Sequence, residues 1–362
     1  MKISEIDKNL ALDTVTSDEN TVFLDVSQPP FQVTGVLLPT EQEPYYRRMP
    51  QELADRVSPG VAQLNHHTSG GRVRFRTDSP YVSLHSVQSS VSLMNHMAVC
   101  GSGGFDLYAK ADGDDEDLQE YYVGTFRPPF HLETGYDAIV RLPDRRMRTF
   151  TLNMPLYGGV NELYLGFDRE SVIEAPPAQA YKPVAYYGSS ITHGSNSIDA
   201  SHSWPYLLAH NLKVDCRNLG FAGSCLMEKE FVEYIASEGE QARWDIATLE
   251  LGINALGWDE DKIVERVSNT LTQICGRNQD KPIFVISPFY NMDDYEATGQ
   301  SDKWRRLIEQ EVKKAGYANV TYINGNDLLG DMSLISADYV HPNIYGAMQI
   351  AERLTAVMKE KI

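Results

Sequence analysis

The sequence predicts an α/β protein: a C-terminal three-layer α/β/α domain with a five-stranded parallel sheet, preceded by an N-terminal antiparallel, jelly-roll-like β-sandwich. Three observations predict this. Short runs with period-2 alternation fill about 21–167, strand-like runs then alternate with helix-like stretches, and the Pro/Ala-rich segment EAPPAQAYKP at 174–183 separates the two textures. We therefore expect the sandwich at 1–175, a linker at 176–183 and the α/β domain at 184–362.

The strands of the first region are predicted where apolar and polar residues alternate between Gly, Pro, Asn and Asp. The clearest runs are RVRFRT at 72–77, YVSLHSV at 81–87, GFDLYAK at 104–110, YYVGTF at 121–126 and NELYLGF at 161–167. A few helical residues are expected in PQELADR at 50–56. The acidic run ADGDDED at 111–117 is predicted to be a solvated hairpin loop, because its spacing does not fit a calcium-binding loop.

The second region alternates between strands and helices, which predicts βαβ units and a parallel sheet covered on both faces. The strands are expected at VAYYG (184–188), VDCRNLG (214–220), DIATLELG (245–252), PIFVIS (282–287) and NVTYING (319–325). The helices are expected at about 203–212, 227–238, 260–277, 301–316 and 344–360. Ligands of open parallel sheets bind beyond the carboxyl ends of the strands, so the loops there are the first place to look for function.

Charge and composition exclude several classes of function. Fifty acidic and 32 basic side chains give a net charge of −18, and neither half is basic, so we expect binding to neither nucleic acid nor an anionic membrane. No apolar run has the length of a signal peptide or a membrane span, which predicts a cytoplasmic protein. The four cysteines lack the spacing of a zinc site or a disulfide framework.

Four of the expected loops carry polar groups that suit nucleophilic catalysis. The run GSSITH at 188–193 places serines on a strand-to-helix turn, where small neighbours expose a hydroxyl and helix amides favour an anion. Gly223 and Asn254 follow the next two strands, and Asp338 stands three residues before His341. A carboxylate at that spacing can orient an imidazole. Each feature alone could be an ordinary turn, but the four in this order favour a catalytic site.

These four blocks resemble those of the SGNH (GDSL-type) hydrolases, over about residues 182–362. The first half, including GRVRFRTDS at 71–79, also resembles the β-sandwich that precedes the catalytic domain in some members, among them carbohydrate esterases and acyltransferases. The resemblance implies that Ser190 is the nucleophile, His341 the general base and then acid, and Asp338 the group that orients His341.

The resemblance also implies an oxyanion hole made by the backbone N–H groups of Ser190 and Gly223 and the side-chain N–H of Asn254. Two residues depart from the family's pattern: Ser189 stands where the first block usually has Asp, and Ala255 stands where Asp often follows the Asn of the third block. Neither Ser189 nor Ala255 has one of these catalytic roles, so we expect activity despite both departures.

Two further side chains are candidates for the wall of the substrate site. His193 follows Ser190 by three residues, and because no carboxylate near it in the sequence would orient it, we expect a wall or cap residue. Trp258 follows the third loop and is expected either to stack on a sugar ring or to pack in the core.

The polar loops favour a short acyl group on a polar alcohol, so the leading prediction is a carbohydrate acetylesterase that acts through a Ser190 acyl-enzyme. The alternatives are an acyltransferase that uses the same acyl-enzyme and a non-catalytic carbohydrate-binding protein. No metal or organic cofactor is implied, because Ser190 and His341 would supply nucleophile and base. The expected partner is a small-molecule or oligosaccharide ester. The identities of the acyl group and the alcohol, the role of the sandwich and homo-oligomer formation stay open.

Overall fold

The computed structural model describes residues 3–114 and 119–362. Its strands are β1 Thr21–Asp25, β2 Gln32–Thr34, β3 Arg72–Thr77, β4 Tyr81–Val91, β5 Phe105–Ala111, β6 Tyr121–Phe126, β7 Gly135–Arg141, β8 Arg148–Asn153, β9 Gly158–Asp168, β10 Ile173–Glu174, β11 Pro183–Gly188, β12 Asp215–Gly220, β13 Ile246–Glu250, β14 Ile283–Ile286 and β15 Val320–Ile323.

The α-helices are α1 Ile3–Ile6, α2 Gln51–Val57, α3 Pro59–Leu64, α4 Val99–Gly103, α5 Ser190–His193, α6 Trp204–Leu212, α7 Lys229–Glu240, α8 Glu260–Thr270, α9 Met292–Glu296, α10 Gln300–Ala315, α11 Gly325–Leu328 and α12 Ile344–Lys359. Short 3-10 helices lie at Lys8–Leu10, Ala200–His202, Ile253–Ala255 and Met332–Leu334, and a π-helical turn at Leu271–Cys275 follows α8.

The N-terminal region is a sandwich of two antiparallel sheets. One sheet has the order β1-β9-β4-β7, and the other has the order β10-β3-β8-β5-β6 with β2 added beside β3. Alternate side chains of both sheets enter a shared core, in which Phe75 of β3 stacks on Phe150 of β8 at 5.2 Å between ring centroids. The period-2 pattern of the sequence therefore reflects burial of one face of each sheet.

The C-terminal region is built on a parallel sheet of order β12-β11-β13-β14-β15. Successive residues of β11 point to opposite faces: Tyr187 belongs to one buried cluster and Tyr186 to the cluster on the other face. Strands on both faces of such a sheet must be apolar throughout, which explains the continuous hydrophobic runs. β11 pairs with both β12 and β13, so a crevice opens where β11 ends. The predicted fold class is confirmed.

The structure adds elements that the sequence pattern did not single out, among them β1, β2, β7, β8 and β10. The helix predicted at 260–277 is continuous in the structure: α8 ends at Thr270, the π-helical turn Leu271–Cys275 follows it directly, and residues 276–277 are helical. β5 and β6 pair in antiparallel fashion on either side of the acidic run 111–117. Residues 115–117 of that run lie outside the described residues, so the prediction of a solvated loop stays a prediction there.

The sandwich contacts the α/β region through the start of β5. Asp106 accepts a hydrogen bond from the Ser201 backbone N–H at 2.8 Å, and the Tyr108 hydroxyl donates to Ser201 Oγ at 3.1 Å. Burial, and then the nearby carboxylate of Asp199, raise the pKa of Asp106 to about 6. These bonds fix the segment between α5 and α6 against the sandwich. Within the described residues, no helix is both long and apolar enough to cross a membrane.

Arg48 forms a second contact between the regions. Its guanidinium donates to the carbonyl of Gly220 at the end of β12 and to the carbonyl of Leu64 at 2.7 Å, and it lies 3.9 Å from the ring centroid of Phe221. The residue is 1% exposed, and burial lowers its pKa to about 9. It therefore stays charged at neutral pH and satisfies two carbonyl groups inside the protein.

We expect Arg48→Met to lower the free energy of unfolding by about 2 kcal/mol, because the carbonyls of Gly220 and Leu64 lose the guanidinium as a donor. Guanidinium denaturation at pH 7 measures the change. Arg56→Met is the control: Arg56 lies on the exposed side of α2 in an ion pair with Glu52, so its loss should cost less than about 0.5 kcal/mol. Equal stability of the Arg48 variant and the wild type would contradict the role of Arg48.

Candidate active site

Ser190 lies at the point where the central strand of the parallel sheet turns into a helix. β11 ends at Gly188, and Ser190 is the first residue of α5. Ser189 caps this helix, because its Oγ accepts the N–H of Ile191 at 3.1 Å, and Gly194 ends the helix with a left-handed φ of 110°. The tight turn leaves Ser190 9% exposed at the carboxyl edge of the sheet.

His341 and Asp338 come from the loop before α12 and meet Ser190 there. The Nε2 atom of His341 is 2.6 Å from Ser190 Oγ, and its Nδ1 atom is 2.7 Å from Asp338 Oδ2. Because Asp338 can only accept as a carboxylate, Nδ1 carries the proton and Nε2 accepts the serine hydroxyl. The structure thus brings the three predicted residues into one hydrogen-bonded chain.

Asp338 is held as a carboxylate by its surroundings. Its Oδ1 atom accepts the backbone N–H groups of Val340 and His341 at 3.0 and 2.9 Å and the hydroxyl of Ser336 at 3.1 Å. Burial by itself would raise the pKa of Asp338, but the bonds from the His341 ring and from these N–H groups hold that pKa well below its usual range. Asp338 therefore remains charged throughout the physiological pH range.

Two more side chains reach Asp338 Oδ2, and sequence reasoning missed both. Asn196, in a left-handed conformation with φ 64°, donates to it at 2.5 Å and also contacts Ser336. His96, between β4 and α4 of the sandwich, has its Nε2 atom 3.4 Å away. The position of Asn196 shortly after Gly194 is only a weak sequence signal for a turn. No sequence signal identifies His96, because its approach to Asp338 depends on how the two regions pack together.

The two other predicted oxyanion-hole residues lie on the loops after the strands that flank β11. Gly223 follows β12 with φ 65°, and open space surrounds the position where a Cβ would lie. Asn254 follows β13, and its Oδ1 atom accepts the backbone N–H of Cys225 at 3.1 Å. This bond fixes the orientation of the carboxamide and leaves its Nδ2 group as the donor on the other side.

His193 requires a correction, because it does not face the substrate side of Ser190. Its side chain is completely buried, its Nε2 donates to the carbonyl of Leu156 at 2.8 Å, and its ring stacks on Tyr157 at 4.1 Å between centroids. Burial, and then the nearby Arg48 and His67, hold the pKa of His193 well below its usual value. The ring packs against the sandwich and offers no surface to a substrate.

Trp258 is half-buried against the core, and Lys262 Nζ lies 3.9 Å from its ring centroid. One face of the indole is therefore covered. Tyr339 is a more open aromatic side chain: it directly follows Asp338, is 52% exposed and has a left-handed φ of 64°. A bulky residue seldom adopts that conformation without a local constraint. The sequence analysis did not select Tyr339.

Glu250, the last residue of β13, is a further residue that the sequence analysis missed. It is completely buried, and its carboxylate contacts the turn that carries Ser190. In residues 3–114 and 119–362, no group of three or more His, Cys, Asp and Glu side chains is placed to bind a metal ion.

Comparison with known families and structures places both regions. Residues 21–173 match the family model described as "GxDLY: N-terminus of Esterase_SGNH_hydro-type", and GFDLY at 104–108 fits that description. Residues 181–359 match the model described as the GDSL-like Lipase/Acylhydrolase family. Among curated proteins, none matches the sequence.

Several solved structures share the whole arrangement at low identity. A GDSL-like lipase from Bacteroides ovatus ATCC 8483 has a TM-score of 0.82 and 20% identity, covering 94% of this chain and 98% of the other. The salicylyl-acyltransferase SsfX3 of a tetracycline biosynthetic pathway has a TM-score of 0.76 and 20% identity, covering 95% and 98%. A family two carbohydrate esterase from Cellvibrio japonicus has a TM-score of 0.63 and 11% identity, covering 94% and 97%.

At these identities the structures establish a common fold, and the two family models establish the relationship. The resemblance expected from the sequence motifs is therefore confirmed. The chain belongs to the GDSL-like lipase/acylhydrolase (SGNH) family and carries the N-terminal β-sandwich of SGNH-type esterases.

Proposed function

We propose that the protein is a serine esterase that removes a short acyl group, with acetyl as the proposed group, from a carbohydrate or another polar alcohol. The observation that carries this proposal is the hydrogen-bonded chain from Asp338 through His341 to Ser190, with lengths of 2.7 and 2.6 Å. A protein that only binds sugars has no need of this alignment, which activates a hydroxyl as a nucleophile.

In the proposed reaction, Ser190 Oγ attacks the ester carbonyl carbon while His341 Nε2 takes the hydroxyl proton. The charged Asp338 stabilises the imidazolium that forms. The backbone N–H groups of Ser190 and Gly223 and the Asn254 Nδ2 group would donate to the oxyanion. His341 then returns the proton to the leaving alcohol, and a water molecule, activated by the same imidazole, hydrolyses the acyl-enzyme to release the acid and restore Ser190.

The surroundings of the acid–base pair support a polar alcohol. Asn196, Ser336 and His96 place amide, hydroxyl and imidazole groups around Asp338, and the next residue, Tyr339, has a side chain that is 52% exposed. Hydrogen-bonding groups next to an aromatic face suit a sugar. The net charge of −18 makes a polyanionic substrate unfavourable. The likeness to a carbohydrate esterase agrees with this choice.

Acyl transfer is the second candidate, since the similar structures include a salicylyl-acyltransferase that covers nearly the whole chain. Both reactions pass through the same acyl-enzyme and differ only in whether water or another acceptor attacks it. The ratio of hydrolysis to transfer at increasing concentrations of an alcohol acceptor distinguishes the two. A transferase would show transfer that saturates at low acceptor concentration.

We expect acetate release from at least one acetylated mono- or oligosaccharide, and Ser190→Ala should lower its kcat/KM by about 10⁴-fold or more, because His341 loses the hydroxyl that it activates. Acetate is measured enzymatically, with p-nitrophenyl acetate as a general substrate. Ser237→Ala, on α7, is the control and should leave the activity unchanged. If the panel and p-nitrophenyl acetate were all inert, the proposal would be wrong.

We expect Asn254→Ala to lower kcat by about 10²–10³-fold with little change in KM, because one oxyanion donor is lost. Asn254→Asp separates this effect from folding, since it keeps an oxygen for the Cys225 N–H but has no N–H to donate. Both variants should lose similar activity while their circular dichroism spectra match the wild type. Wild-type kcat in Asn254→Asp would exclude Asn254 from the oxyanion hole.

We expect Tyr339→Ala to raise KM for an acetylated oligosaccharide about 3–10-fold, the range that corresponds to one lost aromatic contact. Hydrolysis of p-nitrophenyl acetate should change much less, because that substrate has no sugar ring. Tyr339→Phe keeps the ring and should retain the wild-type KM. Tyr122→Ala, at an equally exposed tyrosine of β6, is the distant control. Equal losses on both substrates would contradict a stacking role.

A further inference from the structure

We propose that Glu250 is a positioning residue. It holds the nucleophile turn, residues 188–192, in a fixed position relative to the loops that supply the oxyanion donors. The proposal rests on the proposed function, since it assigns to Glu250 the placement of Ser190. Glu250 has no part in the acyl-transfer steps described above. It lies behind the turn, on the strand next to β11.

The carboxylate forms hydrogen bonds with the turn on both sides of Ser190. Its Oε2 atom accepts the Ser189 backbone N–H at 2.7 Å, the Ser189 hydroxyl at 2.9 Å and the Thr192 hydroxyl at 2.9 Å. Ser189 precedes the nucleophile and Thr192 follows it by two residues. This single oxygen accepts three hydrogen bonds from residues on both sides of Ser190, so it restrains the backbone that sets the positions of the Ser190 N–H and Oγ.

The backbone of the turn is shaped to admit the carboxylate. At Gly188, a Cβ would lie 2.5 Å from Oε2 and 2.2 Å from the Thr192 hydroxyl. Only glycine therefore leaves room for Glu250 and Thr192 to meet at the end of β11. The missing side chain at Gly188 thus makes room for the carboxylate directly beneath the turn. This fit is more specific than ordinary core packing.

The same residue also contacts the oxyanion side of the site. The Cys225 thiol donates to the Glu250 carbonyl at 3.3 Å, and the Cys225 backbone N–H donates to Asn254 Oδ1 at 3.1 Å. Cys225 lies two residues after Gly223. Glu250 thus touches the nucleophile turn through its side chain and the Gly223 loop through its backbone, while Asn254 follows it by four residues.

Burial of the Glu250 carboxylate costs free energy of folding. Glu250 is completely buried, and its Oε1 atom has no hydrogen-bond partner within the described part of the chain. Burial raises its pKa to about 7, although the bonds from Ser189 and Thr192 act in the opposite direction. A buried acid with one unpaired oxygen destabilises the fold relative to a neutral side chain of similar size. A role in positioning the nucleophile turn explains why Glu250 is present despite this loss of stability.

The first test compares Glu250→Gln with Glu250→Ala. The amide oxygen of Gln can accept the same three hydrogen bonds, so we expect kcat within about threefold of the wild type and an equal or higher melting temperature. Ala removes the acceptor, and a misplacement of the nucleophile by about 1 Å costs about 10²-fold, so we expect kcat to fall about 100-fold with KM changed less than threefold. Glu311→Ala, at a mostly buried glutamate of α10, is the matched control and should retain kcat.

The second test uses the 2.9 Å contact between Ser189 Oγ and Glu250 Oε2. Asp at position 189 still caps α5, but it places two carboxylates in contact inside the protein, so we expect Ser189→Asp to lower kcat about 30-fold or more. In Ser189→Asp combined with Glu250→Gln, the amide N–H can donate to Asp, and we expect kcat to return to within about fivefold of Glu250→Gln alone. Such non-additivity marks a direct interaction.

The labelling rate of Ser190 by a fluorophosphonate, followed by intact mass, reports on the nucleophile without any assumption about the substrate. We expect it to fall in parallel with kcat in Glu250→Ala and to recover in the double variant. Wild-type labelling and kcat in Glu250→Ala, or a double variant no better than Ser189→Asp, would overturn the role of Glu250 alone. A wild type that is neither labelled nor active would overturn the proposed function and this proposal together.

Discussion

The hydrogen bond between His341 Nε2 and Ser190 Oγ joins two segments that lie 151 residues apart, and much of the structure serves to hold its two ends. Ser190 is fixed by the end of β11, the cap of α5 and the contacts of Glu250. His341 is fixed by Asp338, which is itself held by the backbone of its own loop. In the proposed reaction a proton crosses this 2.6 Å gap, so a small displacement of either side chain would lower the rate.

The sandwich takes part in this arrangement and is more than a cover for apolar surface. Its side chains contact the carboxyl edge of the parallel sheet at several points: Arg48 at the end of β12, Asp106 and Tyr108 at Ser201, and Tyr157 at Ser195. The segment between α5 and α6 is therefore bound on its outer side. That segment carries Asn196, which donates to Asp338, so the contacts between the two regions help to position Asp338.

The two carboxylates near the site, Asp338 and Glu250, have different surroundings. Asp338 is surrounded by N–H and O–H donors and stays ionised beside His341. Among the residues that the structure describes, Glu250 has donors on one oxygen only, and its burial favours the neutral form. In the proposed reaction, a negative charge beside the imidazolium of His341 stabilises it, and the ionised Asp338 supplies that charge.

The sequence by itself determined the fold class, most of the strands and helices, and the four blocks with Ser190, Gly223, Asn254, Asp338 and His341, because hydrophobic periodicity and strand-end loops are local features. Only the tertiary structure decided the surroundings of those residues. Contacts between segments far apart in the chain bring Asn196, Glu250 and His96 to the site. His193 is close to Ser190 in sequence, but its ring packs on Tyr157 of the sandwich and bonds to the Leu156 carbonyl. Local patterns place residues on strands and turns, whereas long-range packing decides which side chains face the substrate.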